Sequence, residues 1–204
     1  MRPFLIIAST CAAGALILAS ASLAGQPVTQ TLNPPPPPFE NCKALGDGTI
    51  CQGTIASSYG PIDTGLACGS GPGAFDIFDG ASQNEVAMRV YDADGNLVRR
   101  ELHDRYAGQL SNQLTGTTLP YTQTQTTTDI LASPGDRSSA TETLTGEMVL
   151  RPAGGAPVLI GAGRAVFAPD GTLEFQAGPT GFLDLITGVP SAVDPICAAL
   201  TATP

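Results

Sequence analysis

The chain has 204 residues, with 18 acidic side chains against 9 basic ones. That length suits one domain able to build its own hydrophobic core. A formal net charge of −9 argues against nucleic acid or an anionic membrane surface as partner, since both need a positive face.

In chain order, residues 1–24 read as a secretory signal. Arg2 supplies the positive start and Phe4 to Leu18 the apolar stretch, and Ala19-Ser20-Ala21 or Ser22-Leu23-Ala24 supplies the small-residue cleavage site. The mature chain is expected to begin near Gly25 and to be secreted. No later stretch approaches the roughly 20 apolar residues of a spanning helix. A lipid-modified Cys11 is the rival reading, but Ala8-Ser9-Thr10 lacks the leucine-like residue usual three positions before such a cysteine. Without Arg2 the count is 8 basic against 18 acidic residues, an acidity that also serves solubility, and Lys43 is the only lysine.

Residues 25–39 lack apolar periodicity and contain Pro34 to Pro38 in a row, which enforces extended geometry without backbone donors. A disordered Pro-rich spacer is expected there, followed by a single domain over 40–204. That domain holds Cys42, Cys51, Cys68 and Cys197, an even set suited to pairing in an oxidising compartment. Four cysteines allow three pairings, which sequence alone does not separate. The pairing chosen here joins Cys42 to Cys51 across Gly46-Asp47-Gly48, and Cys68 to Cys197 from the start of the core to its end. With no CxxC spacing and one histidine, no metal or other cofactor is expected.

Beyond Phe75, alternating apolar and polar stretches are punctuated at Asp92 to Gly95, Leu114 to Gly116, Ser133 to Asp136, Pro152 to Gly155 and Ala168 to Gly171. The spacing predicts strands over 74–80, 85–91, 96–112, 117–132, 138–151, 157–168 and 171–178, with one more near Cys51. An all-β fold follows: an antiparallel meander closing into a barrel of about eight strands, or alternatively a β-sandwich. One short C-terminal helix is expected, capped by Asp194, with Pro195 in its first turn and Ile196 to Leu200 packing on the barrel.

A three-residue loop with Gly95 left-handed would pair Asp92 with Asn96, Val90 with Val98 and Val86 with Leu102. One face then carries Val86, Met88, Val90, Val98, Leu102, Tyr106 and Leu110, and Arg100 and Asp104 with them. Pairing Leu150 with Val158 groups Ala140, Leu144 and Met148 with Val158, Ile160, Ala162 and Val166, and adds Glu142 and Arg164. Arg100, Asp104, Glu142 and Arg164 are therefore the candidate interior polar site, against the plainer readings of a structural ion-pair network or exposure at a barrel mouth.

Catalytic signatures are absent: there is no G-x-S-x-G, no H-E-x-x-H and no Gly-rich phosphate loop. Asp92-Ala93-Asp94-Gly95-Asn96 opens like a calcium loop, but Leu97 stands where glycine is needed and His103 where glutamate is needed, so it reads as a hairpin turn. His103 shares a face with Arg99, Glu101 and Arg105 opposite the apolar one, which predicts solvent exposure rather than a general base.

Taken in order, Cys42-Lys-Ala-Leu-Gly-Asp-Gly-Thr-Ile-Cys51, Cys68-Gly-Ser-Gly-Pro-Gly73 with Phe75, Tyr91 to Arg100, Ser111-Asn-Gln-Leu-Thr-Gly116 and Asp194-Pro-Ile-Cys-Ala-Ala-Leu200 resemble a family of small secreted actinomycete proteins with no assigned activity. The resemblance covers nearly the whole mature chain. It implies export and one β domain, and it carries no catalytic or ligand residues.

The expected function is a non-catalytic extracellular binding protein for a small ligand or a protein partner. The alternatives are an envelope-associated interaction or structural protein, suggested by the proline run, and a metal-independent barrel enzyme of cyclase or isomerase type. A hollow interior favours ligand binding or catalysis, and a filled one favours a surface role.

Overall fold

Five of the turn signals separate successive strands of one antiparallel sheet. The computed structural model describes residues 28–152, 154–179, 181–186 and 189–201; the proposed signal, 1–24, lies outside them. Eight strands follow one another in space as in sequence: β1 (Asn41–Leu45), β2 (Gly48–Cys68), β3 (Phe75–Tyr91), β4 (Leu97–Asn112), β5 (Thr118–Leu131), β6 (Ala140–Leu150), β7 (Leu159–Phe167) and β8 (Leu173–Ala177). The stretches 74–80 and 85–91 are thus a single strand, β3. Its middle, Ala81 to Asn84, buries Ala81 but carries polar Gln83 on the same side, which hides the apolar alternation. The strand near Cys51 is the long β2, and the short β1 completes the eight.

No pairing joins β1 or β2 to β7 or β8 among the described residues, so the sheet is an open meander. Helix α1 (Gly181–Ile186) contacts β7, and helix α2 (Pro190–Thr201) contacts β2, β4, β5 and β7. α2 therefore sits on the inner face, spanning from one flank of the sheet to the other. The Cys68–Cys197 disulfide fastens it to β2, and Cys42–Cys51 clips β1 to β2. Both bridges are the expected ones. α2 starts a turn earlier than expected: the carbonyl of Val189 accepts from the N–H of Val193, so Asp194 is not the cap and Pro195 lies inside the helix. Burying Ala192, Val193, Ile196 and Leu200 along one stripe outweighs the single helical bond that Pro195 forfeits.

The inner face has two apolar ends. At one, Ile77, Leu110, Leu119, Tyr121, Met148 and Leu150 pack against Leu185, Ile196 and Leu200. At the other, Cys51, Tyr91, Leu97 and Leu131 form a smaller core with Leu32 against it. The proline run belongs to this second end, which corrects the expectation of a free spacer for residues 28–39. Asn33 forms a bridge with Asn96, and the carbonyl of Pro34 accepts from the Tyr91 hydroxyl at 3.0 Å. Prolines lack donors, but their carbonyls still cap a sheet end.

The register corrects two face assignments. Asp92 and Asn96 do bond across the turn, and Gly95 is left-handed at φ +82°. A Cβ there would also stand 2.3 Å from the Thr31 carbonyl oxygen, so the N-terminal segment and the turn both require glycine. Val98, however, is bulged: Tyr91 pairs with Leu97 and Val90 with Arg99, one residue off the expected ladder. A one-residue shift turns a strand over. Tyr106 and Leu110 face inward on β4 as expected, whereas on β3 the inward set is Ile77, Ala81, Ala87 and Tyr91, and Val86 is 47% exposed. Likewise Leu150 pairs with Leu159 rather than Val158, because the intervening loop holds one residue more than supposed. β6 keeps its face and β7 is turned over, with Ala165 buried and Ile160 59% exposed.

Candidate functional site

Between the two apolar ends, the inward face of β3 to β6 carries polar rungs on either side of one that holds Ala87, Leu102 and Leu144. Cross-strand pairing places Arg89 beside Arg100, Arg100 beside Asp129 and Asp129 beside Glu142, with Glu85 beside Asp104 two rungs along. Arg100 donates to Asp129 through Nε at 2.7 Å and Nη2 at 2.6 Å, and the side chains are only 16% and 6% exposed. Arg89 forms an ion pair with Glu40, whose side chain is fully buried. Asp104, 4% exposed, accepts from Gln83 Nε2 at 2.8 Å.

Of the four residues marked from sequence, Arg100, Asp104 and Glu142 therefore share the inner face. Arg164 does not. It pairs with Thr145 on the outer face, exposed, with its guanidinium 5.9 Å from the centroid of Phe175. The expected diagonal between Glu142 and Arg164 fails through the one-residue offset of β7 described above. Arg89, Asp129 and Glu40 were missed: the bulge hid Arg89, Asp129 closes a threonine-rich run without apolar alternation, and Glu40 lies before the first strand.

Burial first, and then the neighbouring Asp104, raise the pKa of Glu85, while Arg100 opposes them. For a carboxyl group raised on folding, the native state still holds a proton that the unfolded chain loses above about pH 4.3, so this group costs stability as pH rises through that window. Glu85→Gln should therefore stabilise the fold at pH 7, by less than about 1 kcal/mol because the group is partly solvated, and the gain should vanish below about pH 4. Urea unfolding at both pH values checks this.

Further along the same face, toward α2, lies a cavity of about 410 Å³ lined by Tyr59, Thr64, Leu66, Asp79, Tyr106, Leu110, Tyr121, Gln123, Met148 and Leu185. Residues of β2 and of β6 meet in it because the sheet curls around the helical end. Asp79 is held from two sides: Tyr121 donates to Oδ1 at 2.9 Å and Tyr59 to Oδ2 at 2.8 Å. Burial is the first cause that raises the pKa of Tyr59, Tyr106 and Tyr121, and Asp79 adds to it in all three. The phenols are thus neutral donors at ordinary pH. Tyr106 makes no hydrogen bond to another described residue, leaving its hydroxyl open to a ligand. Gly108 is what lets the Tyr121 ring lie over β4, since a Cβ there would stand 2.6 Å from Tyr121 Cζ. Only Tyr106 in this group stood out in the sequence, as one member of an apolar face. Asp79 is separated from its phenol partners by 20 and 42 residues, so no local spacing announces the cluster.

His103 lies on the outer face, 52% exposed, with Nε2 2.8 Å from Glu101 and Nδ1 2.9 Å from Thr126. His103→Ala should change stability by less than about 1 kcal/mol and leave binding in the cavity unchanged, measured by denaturant unfolding and ligand titration. Among the described residues no group of three His, Cys, Asp or Glu side chains is placed to hold a metal, and no helix is long and apolar enough to cross a membrane. In comparisons with known proteins, no family model, curated protein or solved structure matches the chain.

Proposed function

We propose that the chain is an exported, non-catalytic binding protein that holds one small, largely apolar ligand in the cavity formed by Tyr59, Tyr106, Tyr121 and the leucines beside them. The observation that carries this reading is the cavity itself: about 410 Å³, walled by Leu66, Leu110, Met148 and Leu185, with a few convergent polar groups. A filled interior would have favoured a surface role. Binding is preferred to catalysis because the sequence carries no catalytic motif and two of the three phenols are committed to Asp79, which leaves the Tyr106 hydroxyl as a single free phenol rather than a convergent set of donors aimed at developing charge.

Export is part of the proposal. It rests on the signal-like residues 1–24, on the two disulfides, which suit an oxidising compartment, and on the ordered segments that resemble a secreted actinomycete family. We read the sheet as a barrel in which α2 takes the place of the closing strand pair, so that the cavity is the remaining barrel interior.

The test is native mass spectrometry of the chain recovered from the culture medium of its own producing cells. The expected result is a chain starting between Ser22 and Gln26, without lipid on Cys11, that carries one co-purifying small molecule. An acylated Cys11 would overturn soluble export, and a chain that binds no member of an apolar ligand panel would overturn the binding role.

A further inference from the structure

The charges around the cavity are of one sign. Among the described residues, Asp79 is its only charged lining residue, and no lysine, arginine or histidine lines it. The carboxyl groups of Asp104, Glu85 and Asp79 all raise the pKa of the Tyr106 phenol, after burial. The two inward arginines do not offset them. Arg100 is six residues from Tyr106 along β4, about 20 Å at strand spacing, and it is paired with Asp129, while Arg89 is paired with Glu40.

Asp79 keeps acceptor capacity after receiving its two phenol bonds, because a carboxylate offers about four lone-pair sites. Three tyrosines share the lining, and phenol rings attract a cation through their electron-rich faces. An anionic ligand would be repelled, and a neutral one could gain at most a hydrogen bond from the carboxylate, whereas a cation gains from the carboxylate and from the ring faces together. Resting on the binding role proposed above, we propose that the ligand is an organic cation, an ammonium group on an apolar body, received by Tyr59, Tyr106 and Tyr121 against Asp79. Its apolar part would lie on Leu66, Leu110, Met148 and Leu185.

The experiment compares benzyltrimethylammonium with neopentylbenzene, its neutral carbon isostere of nearly equal shape, on the full chain. Intrinsic tyrosine fluorescence reports directly, since the chain has no tryptophan and three of its 4 tyrosines line the cavity. The expected result is that the cation binds about tenfold more tightly than the isostere or better, and that Asp79→Asn brings the ratio close to one with isostere binding retained. Equal affinities in the unaltered chain would overturn the cation and leave the cavity as a neutral apolar site. Failure of both probes to bind at about 1 mM would overturn the cavity as a binding site altogether. Should Asp79→Asn lose its cooperative melting transition, Tyr106→Leu serves instead, because that hydroxyl holds nothing in place. Removing the Tyr106 ring should weaken both probes, and the cation about three- to tenfold more than the isostere, and an equal loss for both probes would count against the proposal.

Discussion

Replacing Arg100 with methionine should lower the unfolding free energy by about 3 to 5 kcal/mol, because it leaves the Asp129 carboxylate buried without its cation. The side chain of Asp129 is 6% exposed, Oδ1 already lacks a partner among the described residues, and Glu142 stands across from it on β6. Loss of the guanidinium would thus bring two acids together on adjacent strands with nothing to offset them. The double change Arg100→Met with Asp129→Leu should recover most of the loss, since removing both charges also removes the desolvation cost. Denaturant unfolding of the two single variants and the double variant measures this as a cycle. A single-variant effect below about 1 kcal/mol would mean that water reaches the pair and that the polar belt is open to solvent.

Removal of the Cys68–Cys197 bridge should cost about 4 to 5 kcal/mol, against about 2 to 3 kcal/mol for Cys42–Cys51, if both act by restricting the unfolded chain. The difference follows from the loops they close, with separations of 129 and 9 residues. Paired alanine variants compared by urea unfolding give both numbers. The long bridge has a further consequence. It fastens α2 to β2, and α2 packs against α1, whose Leu185 is part of the cavity wall. Losing it should therefore also weaken ligand binding, while losing the short bridge at the opposite end should leave binding unchanged. Equal stability losses for the two bridges would show that strain or residual structure, rather than chain entropy, governs them.

Turn positions, cysteine parity and the outward His103 were legible in the chain because each rests on local signals, whereas the total of eight strands agreed only because splitting β3 in two offset the unread β1, and the disulfide pairing was one of three the sequence allowed. Face assignments were legible only strand by strand. β4 and β6 keep the sides their alternation indicates, whereas β3 and β7 are turned over. The cause in each case is one residue, the bulged Val98 in one hairpin and the longer loop before Leu159 in the other. Nothing in the side chains of Leu97 or Val98 marks which of them is bulged, because both are apolar and β-compatible. Arg164 left the candidate site for that reason and Arg89 entered it. The docking of the proline run was hidden differently. Pro34 binds through its carbonyl to Tyr91, 57 residues away, and a carbonyl is common to every residue type. The tyrosine cluster is likewise a product of curvature, since β2, β3, β4 and β5 each contribute one side chain to it.

The reading of the inner face as a ligand site is tested most directly at the methyl groups of Met148 and Met88, the two of the chain's 3 methionines that follow the proposed signal. Met148 is 4% exposed in the cavity wall, whereas Met88 sits on the outer face of β3 opposite Glu101, so one reports on the site and the other serves as control. With ¹³C-methyl methionine in the full chain, saturation with benzyltrimethylammonium or neopentylbenzene should move the Met148 resonance and leave Met88 in place. A Met148 resonance that stays fixed, whether Met88 moves or not, would contradict the account.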